Sequence, residues 1–337
     1  MRIGLALPHY DTSLGSQPVS WEGVKRVAQL AERSGFSSIW ISDHLFLDWG
    51  KYGGPSDPQG SLESWTTLSA LAAVTERVRL GTLTLCNDFR HPALLAKMVA
   101  TLDRLSGGRV DVGLGAGWYE PEYKAAGIHF DSAGTRIRRL GEAAEIVRRL
   151  LAGEELTYSG RHYETNGAIA RPGPVQEPPP PVWIGGKGDF LLKTVARSAD
   201  GWNFSWLGDF DTYEDRSAAA DRACESIDRD PASLKRLVGA YVMAGSDESD
   251  AQRRYERLIE RTPEGVLRPS NGGAGVSWDE FRRTRVAGTV TEVTDRLGSL
   301  SRLGVEEVIV TLGTLPFQVA DEEDVELVGT EVAGALR

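Results

Sequence analysis

The chain of 337 residues has only two cysteines, Cys86 and Cys224. They are far apart and have no partners at metal-ligand spacing, so a disulfide framework is not expected and a reducing compartment is. No apolar run reaches 18 residues, which leaves no candidate membrane-spanning helix. The start, MRIGLALPHY, carries one charge and a short apolar run stopped by Pro8, too brief for a signal-peptide core. Basic residues are in deficit: 38 Lys and Arg against 48 Asp and Glu give a net charge of -10. Nucleic acid and anionic membrane, which need a basic face, are therefore not expected partners. There is no His-Glu-x-x-His motif, no Walker A sequence and no repeat of 20–50 residues.

What the sequence does contain is an alternation of short apolar runs and amphipathic stretches. Ile3 to Leu7, Ser37 to Ser42, Val78 to Leu85, Val110 to Leu114, Val182 to Ile184, Gly201 to Phe204, Leu237 to Met243 and Val305 to Leu312 read as buried strands. Helical spacing appears between them, as in Val24, Val27, Ala28 and Ala31, or Ile137, Leu140, Ala144, Val147 and Leu151. Helices are expected over Leu62 to Ala73, Thr135 to Leu151, Phe190 to Ser198, Thr212 to Ile227 and Ala251 to Glu260. Leu156 to Tyr158 and His162 to Tyr163 flank Ser159-Gly160-Arg161 as a small hairpin. The proline-rich run Pro172 to Pro181 resembles a linker but reads as a stiff segment entering the fifth strand. A glycine-bearing loop with Gly265, Gly272, Gly273 and Gly275 precedes the last strand–helix unit.

Eight strand–helix units predict a single (β/α)8 TIM barrel over 1–337, with insertions at about 115–180 and 245–288. An open doubly wound sheet is the alternative. Its glycine-rich first turn is missing, because Pro8-His9-Tyr10 follows the first strand. Barrel enzymes place chemistry at strand C-termini, so the residues there are the candidates. Asp43-His44 follows the second strand, and a histidine beside a carboxylate suits proton transfer; a helix cap and a structural histidine are the plainer alternative. His91 falls at the same face and His9 could point into the cleft, whereas His129 and His162 read as structural. Gly185-Gly186-Lys187-Gly188 follows the fifth strand and suits a phosphate, through glycine backbone and a helix N-terminus; a flexible turn is its plainer alternative. Cys86 reads as a buried, inert thiol rather than a nucleophile. Trp118, Trp202 and Trp206 could stack on a flat ring or simply pack. Glu120 and Glu122 read as loop carboxylates near the mouth, Glu122 as a solvated one. Trp49 and Tyr52 hint at an aromatic lid within 45–62, which with 262–286 would define a substrate pocket that the sequence does not specify.

The segments SIWISDHLF, LGTLTLCNDFRHPALLAKMVATLDRLSGGRVDVGLGAGWYEPEY and PPPPVWIGGKG with LLKTVARSADGWN resemble the luciferase-like monooxygenase superfamily. They look most like its actinobacterial branch that uses deazaflavin coenzyme F420. The resemblance implies a flavin-type ring at the barrel mouth and a non-proline cis peptide at Leu83-Thr84. It implies a phosphate loop at Gly185, Gly186, Lys187 and Gly188, and ring contacts from Asp43, Leu83, Thr84, Cys86, Trp118 and Tyr119. His44 would be the proton donor or acceptor, with Glu120 a second catalytic candidate. Sugar-phosphate dehydrogenases of this branch carry a glutamate directly after the strand-four glycine; here Trp118 stands there and Glu120 follows two residues on. The resemblance thus implies an F420-dependent oxidoreductase acting on a small organic substrate, and a homodimer; the cysteine usage adds a cytoplasmic location, and the lack of ligand spacing adds no metal. A reduced-FMN monooxygenase and a non-catalytic flavin-binding barrel are the alternatives.

Overall fold

The computed structural model describes residues 1–15, 18–54, 56–267 and 276–337. Gly272, Gly273 and Gly275, expected in a loop, lie outside the described residues. The principal strands are β1 (Arg2–Ala6), β2 (Ser38–Ile41), β3 (Arg79–Thr82), β4 (Val110–Gly115), β5 (Val182–Gly185), β6 (Gly201–Leu207), β7 (Lys235–Gly245) and β8 (Val305–Thr311). Most are buried along nearly their whole length, as continuous apolar runs in parallel sheets must be when both faces are covered. The chain divides into two compact units.

The first unit comprises Met1–Glu63, Ser205–Thr212 and Leu237–Arg337. Here β1 pairs in parallel with β8 (Ile3 opposite Val308) and with β2 (Leu5 opposite Ile39). The helix Trp21–Ser34 buries Val24, Val27, Ala28 and Ala31, the face that the spacing predicts. Ser20 caps its start by accepting from the Gly23 N–H, and Gly35 ends it at φ 106°, a left-handed value that favours glycine. Among the elements not legible in the sequence are a helix, Trp278–Thr284, and a strand, Val286–Thr289, paired in parallel with β7. The strand is four residues long and contains Gly288, so its periodicity is too short to register.

The second unit comprises Ser64–Phe204 and Tyr213–Arg236. β4 is its centre, pairing in parallel with β3 and with β5, which in turn pairs with β6. The third apolar run is not one strand. It breaks after Thr82 at a cis Leu83-Thr84 peptide and resumes at Leu85–Cys86, opposite Leu114 and Gly115. The hairpin also differs from expectation: its strands are Leu156–Ser159 and Glu164–Ala168, and His162 and Tyr163 belong to the turn. Glu142 accepts from the backbone N–H groups of Arg161, His162 and Tyr163 at 3.0, 2.9 and 3.2 Å, fixing that turn against the helix Ala133–Leu151. The proline-rich segment is docked likewise. Asp103 accepts from Val175 N at 2.7 Å and Gln176 N at 3.0 Å, and the chain then enters β5. Among the described residues, no helix is long and apolar enough to cross a membrane.

Candidate active site

The expected site residues divide between the units. Asp43 and His44 lie in the first; Leu83, Thr84, Cys86, Trp118, Tyr119, Glu120 and Gly185 to Gly188 lie in the second.

In the first unit the ends of β1 and β2 carry a buried polar chain. His9 is fully buried, with Nδ1 at 2.9 Å from the Leu7 carbonyl and Nε2 at 3.0 Å from Ser42 Oγ. Ser42 Oγ is also 2.5 Å from the Tyr10 hydroxyl. Burial pushes the His9 pKa down to about 4, so its ring is neutral at pH 7. Asp43 is buried next to Ser42, and His44 is half-buried, its carbonyl accepting from the Ser61 hydroxyl. Tyr10 lies 6.4 Å from the His44 ring and 5.6 Å from Trp49, centroid to centroid. Tyr10 and Ser42 were not picked out from sequence, because a lone serine and tyrosine beside short strands carry no signal of their own. His9, expected to reach a cleft, instead points into this buried chain.

In the second unit the ends of β3, β4 and β5 form a shelf. The Leu83-Thr84 peptide is cis, as the resemblance implied. Thr84 packs directly on two glycines: a Cβ on Gly115 would stand 2.3 Å from Thr84 Oγ1, and one on Gly185 would stand 2.9 Å from its Cγ2. No residue larger than glycine fits beneath Thr84 without displacing it. Cys86 is buried, 3.0 Å from the Tyr123 hydroxyl, which donates onward to Asp88 at 3.1 Å. A thiol so enclosed is in line with the inert reading.

After the shelf comes the glycine loop. Gly186 adopts φ 141°, its N–H donates to the Asn203 carbonyl, and its own carbonyl accepts from Trp202 Nε1 at 2.7 Å. The helix Asp189–Ser198 follows with Gly188 as its cap and no side chain on its first N–H groups. Those donors and the helix dipole suit an anion, and Gly188 has open space around it. Lys187 places Nζ 4.1 Å from the centre of the Phe204 ring. The residues present therefore fit a flat ring laid on Thr84 and a phosphate at the helix start.

Two carboxylates depart from expectation. Glu120 is not on a loop: it opens the short helix Glu120–Ala125, is exposed, and pairs with Lys124 at 2.9 Å. Glu122, expected as solvated surface, is buried. Trp118 is 41% exposed and packs at 5.4 Å against the buried Tyr119 ring. A second non-proline cis peptide, Ser205-Trp206, was not anticipated. Among the described residues, no group of three or more His, Cys, Asp or Glu is placed to hold a metal ion.

The chain resembles known proteins over most of its length. The family model for luciferase-like monooxygenases matches residues 1–320. An FMNH2-dependent dimethylsulfone monooxygenase of Pseudomonas putida is 27% identical, covering 95% of this chain and 90% of that protein. A 5,10-methylenetetrahydromethanopterin reductase of Archaeoglobus fulgidus is 28% identical, covering 92% and 94%. Among solved structures, the coenzyme F420-dependent tetrahydromethanopterin reductase of Methanopyrus kandleri superposes with a TM-score of 0.74 at 21% identity, over 100% of this chain and 99% of that one. The fold is thus the (β/α)8 TIM barrel that the strand count predicted, and the chain belongs to the luciferase-like monooxygenase family.

Proposed function

We propose that this protein is an oxidoreductase that transfers a hydride between deazaflavin coenzyme F420 and a small organic substrate. The observation that carries the reading is the glycine-floored shelf under Thr84, followed directly by a glycine loop and an uncapped helix N-terminus. That order of features suits a ring and then its phosphate. The cofactor supplies the hydride chemistry when bound; the protein positions it and handles the proton. Leu83, Thr84, Cys86, Trp118 and Tyr119 contact the ring in this reading, and Gly185, Gly186, Lys187 and Gly188 hold the phosphate. His44 donates or accepts the proton, and Asp43 orients its loop or touches the ring. Glu120, exposed and already paired with Lys124, receives no role.

A second reading is reduced-FMN monooxygenation, favoured by the 27% identity to the dimethylsulfone enzyme across nearly the whole chain. Titration of the purified protein with each cofactor separates the two. Micromolar affinity for FMN with none for the deazaflavin overturns the first reading. With the deazaflavin bound, His44→Ala is expected to lower turnover by about a hundredfold or more while leaving cofactor affinity intact. Unchanged turnover in that variant removes His44 from the mechanism.

A further inference from the structure

The first unit holds a half-buried cation that the reading above does not use. Arg285 ends the helix Trp278–Thr284 and immediately precedes the strand Val286–Thr289. Its guanidinium lies over the Tyr241 ring, 4.2 Å from the centroid. Nη1 donates to the Thr284 carbonyl at 3.2 Å, and Nε is buried with no acceptor. Among the described residues, no carboxylate pairs with it. Its neighbours differ: Arg282 pairs with both Glu248, at 2.9 Å, and Glu292, at 2.5 Å. The local acids are thus taken; Arg285 is left without one, as is Arg296, whose Nη1 donates instead to the Arg282 and Arg285 carbonyls.

Tyr241 does not supply the missing charge. Burial drives its pKa far above the ordinary phenol value, so the ring stays neutral, and burial holds Arg285 below its ordinary value. The Arg285 backbone is fixed, because its carbonyl accepts from Arg296 Nη1 at 2.7 Å. A fixed guanidinium with a buried, unsatisfied donor is costly unless something brings it an anion.

An aromatic wall leads away from it. Tyr241 lies 5.5 Å from Trp206, Trp206 lies 5.5 Å from Phe317, and Phe317 lies 6.4 Å from Tyr10, the ring nearest His44 in this series. We propose that Arg285 binds the carboxylate of an organic acid substrate whose apolar body lies along Trp206 and Phe317 toward His44. The inference rests on the reading that His44 acts on the substrate. One guanidinium matches a monoanion in charge, and its planar fork matches a carboxylate in shape. The stack on Tyr241 holds that plane in place.

The test is calorimetric titration of the full-length protein with 4-phenylbutanoate and with its neutral counterpart, 4-phenylbutan-1-ol. The acid is expected to bind at least about tenfold more tightly than the alcohol, and Arg285→Gln to erase that preference. Arg285→Lys, which keeps the charge but loses the fork, is expected to fall between the two. Arg285→Gln should melt at the parent's temperature or above, because it removes an unpaired, half-buried charge. Equal affinity for acid and alcohol, no acid binding at millimolar concentration, acid binding indifferent to Arg285, or a lower melting temperature each overturns the proposal. His44→Ala should bind the acid as the parent does. If the acid depends on Arg285 yet no hydride transfer is found, only the oxidoreductase reading fails.

Discussion

The Ser42 hydroxyl stands 3.0 Å from His9 Nε2 and so joins the end of β2 to the end of β1. The direction of this bond follows from its surroundings. The Leu7 carbonyl can only accept, so His9 Nδ1 carries the proton and Nε2 accepts from Ser42. Ser42 then receives from the Tyr10 hydroxyl at 2.5 Å. Replacing Ser42 by alanine leaves Nε2 buried without its donor, which costs about 1–3 kcal/mol. Ser42→Ala is therefore expected to lower the urea midpoint with an unchanged slope. An unchanged midpoint would show that the chain contributes nothing to stability.

The same histidine makes stability depend on pH. Its folded pKa, about 4, lies below the ordinary value of 6.5 because the ring is buried. The unfolded chain therefore takes up a proton that the native state refuses. The stability that neutral His9 contributes is whole above pH 6.5, declines as the pH falls below it, and is lost by about pH 4. The shift corresponds to about 3 kcal/mol. His9→Gln should flatten this acid limb, and the difference between variant and parent across the range isolates His9 from other titrating groups. Parallel curves for the two proteins would refute the assignment.

Sequence periodicity located every barrel strand, because runs such as Ile3 to Leu7 and Val110 to Leu114 are buried on both faces and read as unbroken apolar segments. It missed the break within Val78 to Leu85, since a cis peptide leaves hydrophobicity unchanged; family resemblance alone pointed to Leu83-Thr84. Motifs located the glycine loop and Asp43-His44, whose residue types are informative by themselves. Periodicity did not find Arg285 or the His9–Ser42–Tyr10 chain. Their meaning lies in what surrounds them: a guanidinium without an acid, a serine between two rings. Glu120 and Glu122 were assigned the wrong surroundings because a six-residue helix has too little length to show which side faces inward.

The glycines of the second unit separate support of the shelf from stability of the sheet. A Cβ on Gly185 would meet the Thr84 methyl at 2.9 Å, a side-chain atom that can move. A Cβ on Gly113 would meet the Thr82 carbonyl oxygen at 1.9 Å, which is backbone within the sheet and cannot yield. Gly185→Ala should therefore leave the melting temperature nearly unchanged while weakening cofactor binding by about tenfold, as a displaced Thr84 alters the surface under the ring. Gly113→Ala should destabilise the fold by about 1–3 kcal/mol or more. Circular dichroism melts and cofactor titration on both variants test the distinction; the reverse pattern would mean that Thr84 does not support the ring.

Glu120 offers the sharpest check on which carboxylate matters near β4. It pairs with Lys124 one helical turn on, with side-chain exposures of 48% and 72%. An exposed pair at this spacing contributes about 0.3–0.5 kcal/mol. Glu120→Gln should therefore change stability within that range and turnover by less than about twofold. Glu122, two residues on and buried at 1% exposure, should respond differently. Glu122→Leu removes that buried carboxylate and is expected to destabilise the protein by about 1–3 kcal/mol. A large loss of turnover in Glu120→Gln with cofactor affinity intact would restore Glu120 as a catalytic group, and would require its exposed helix to rearrange when substrate binds.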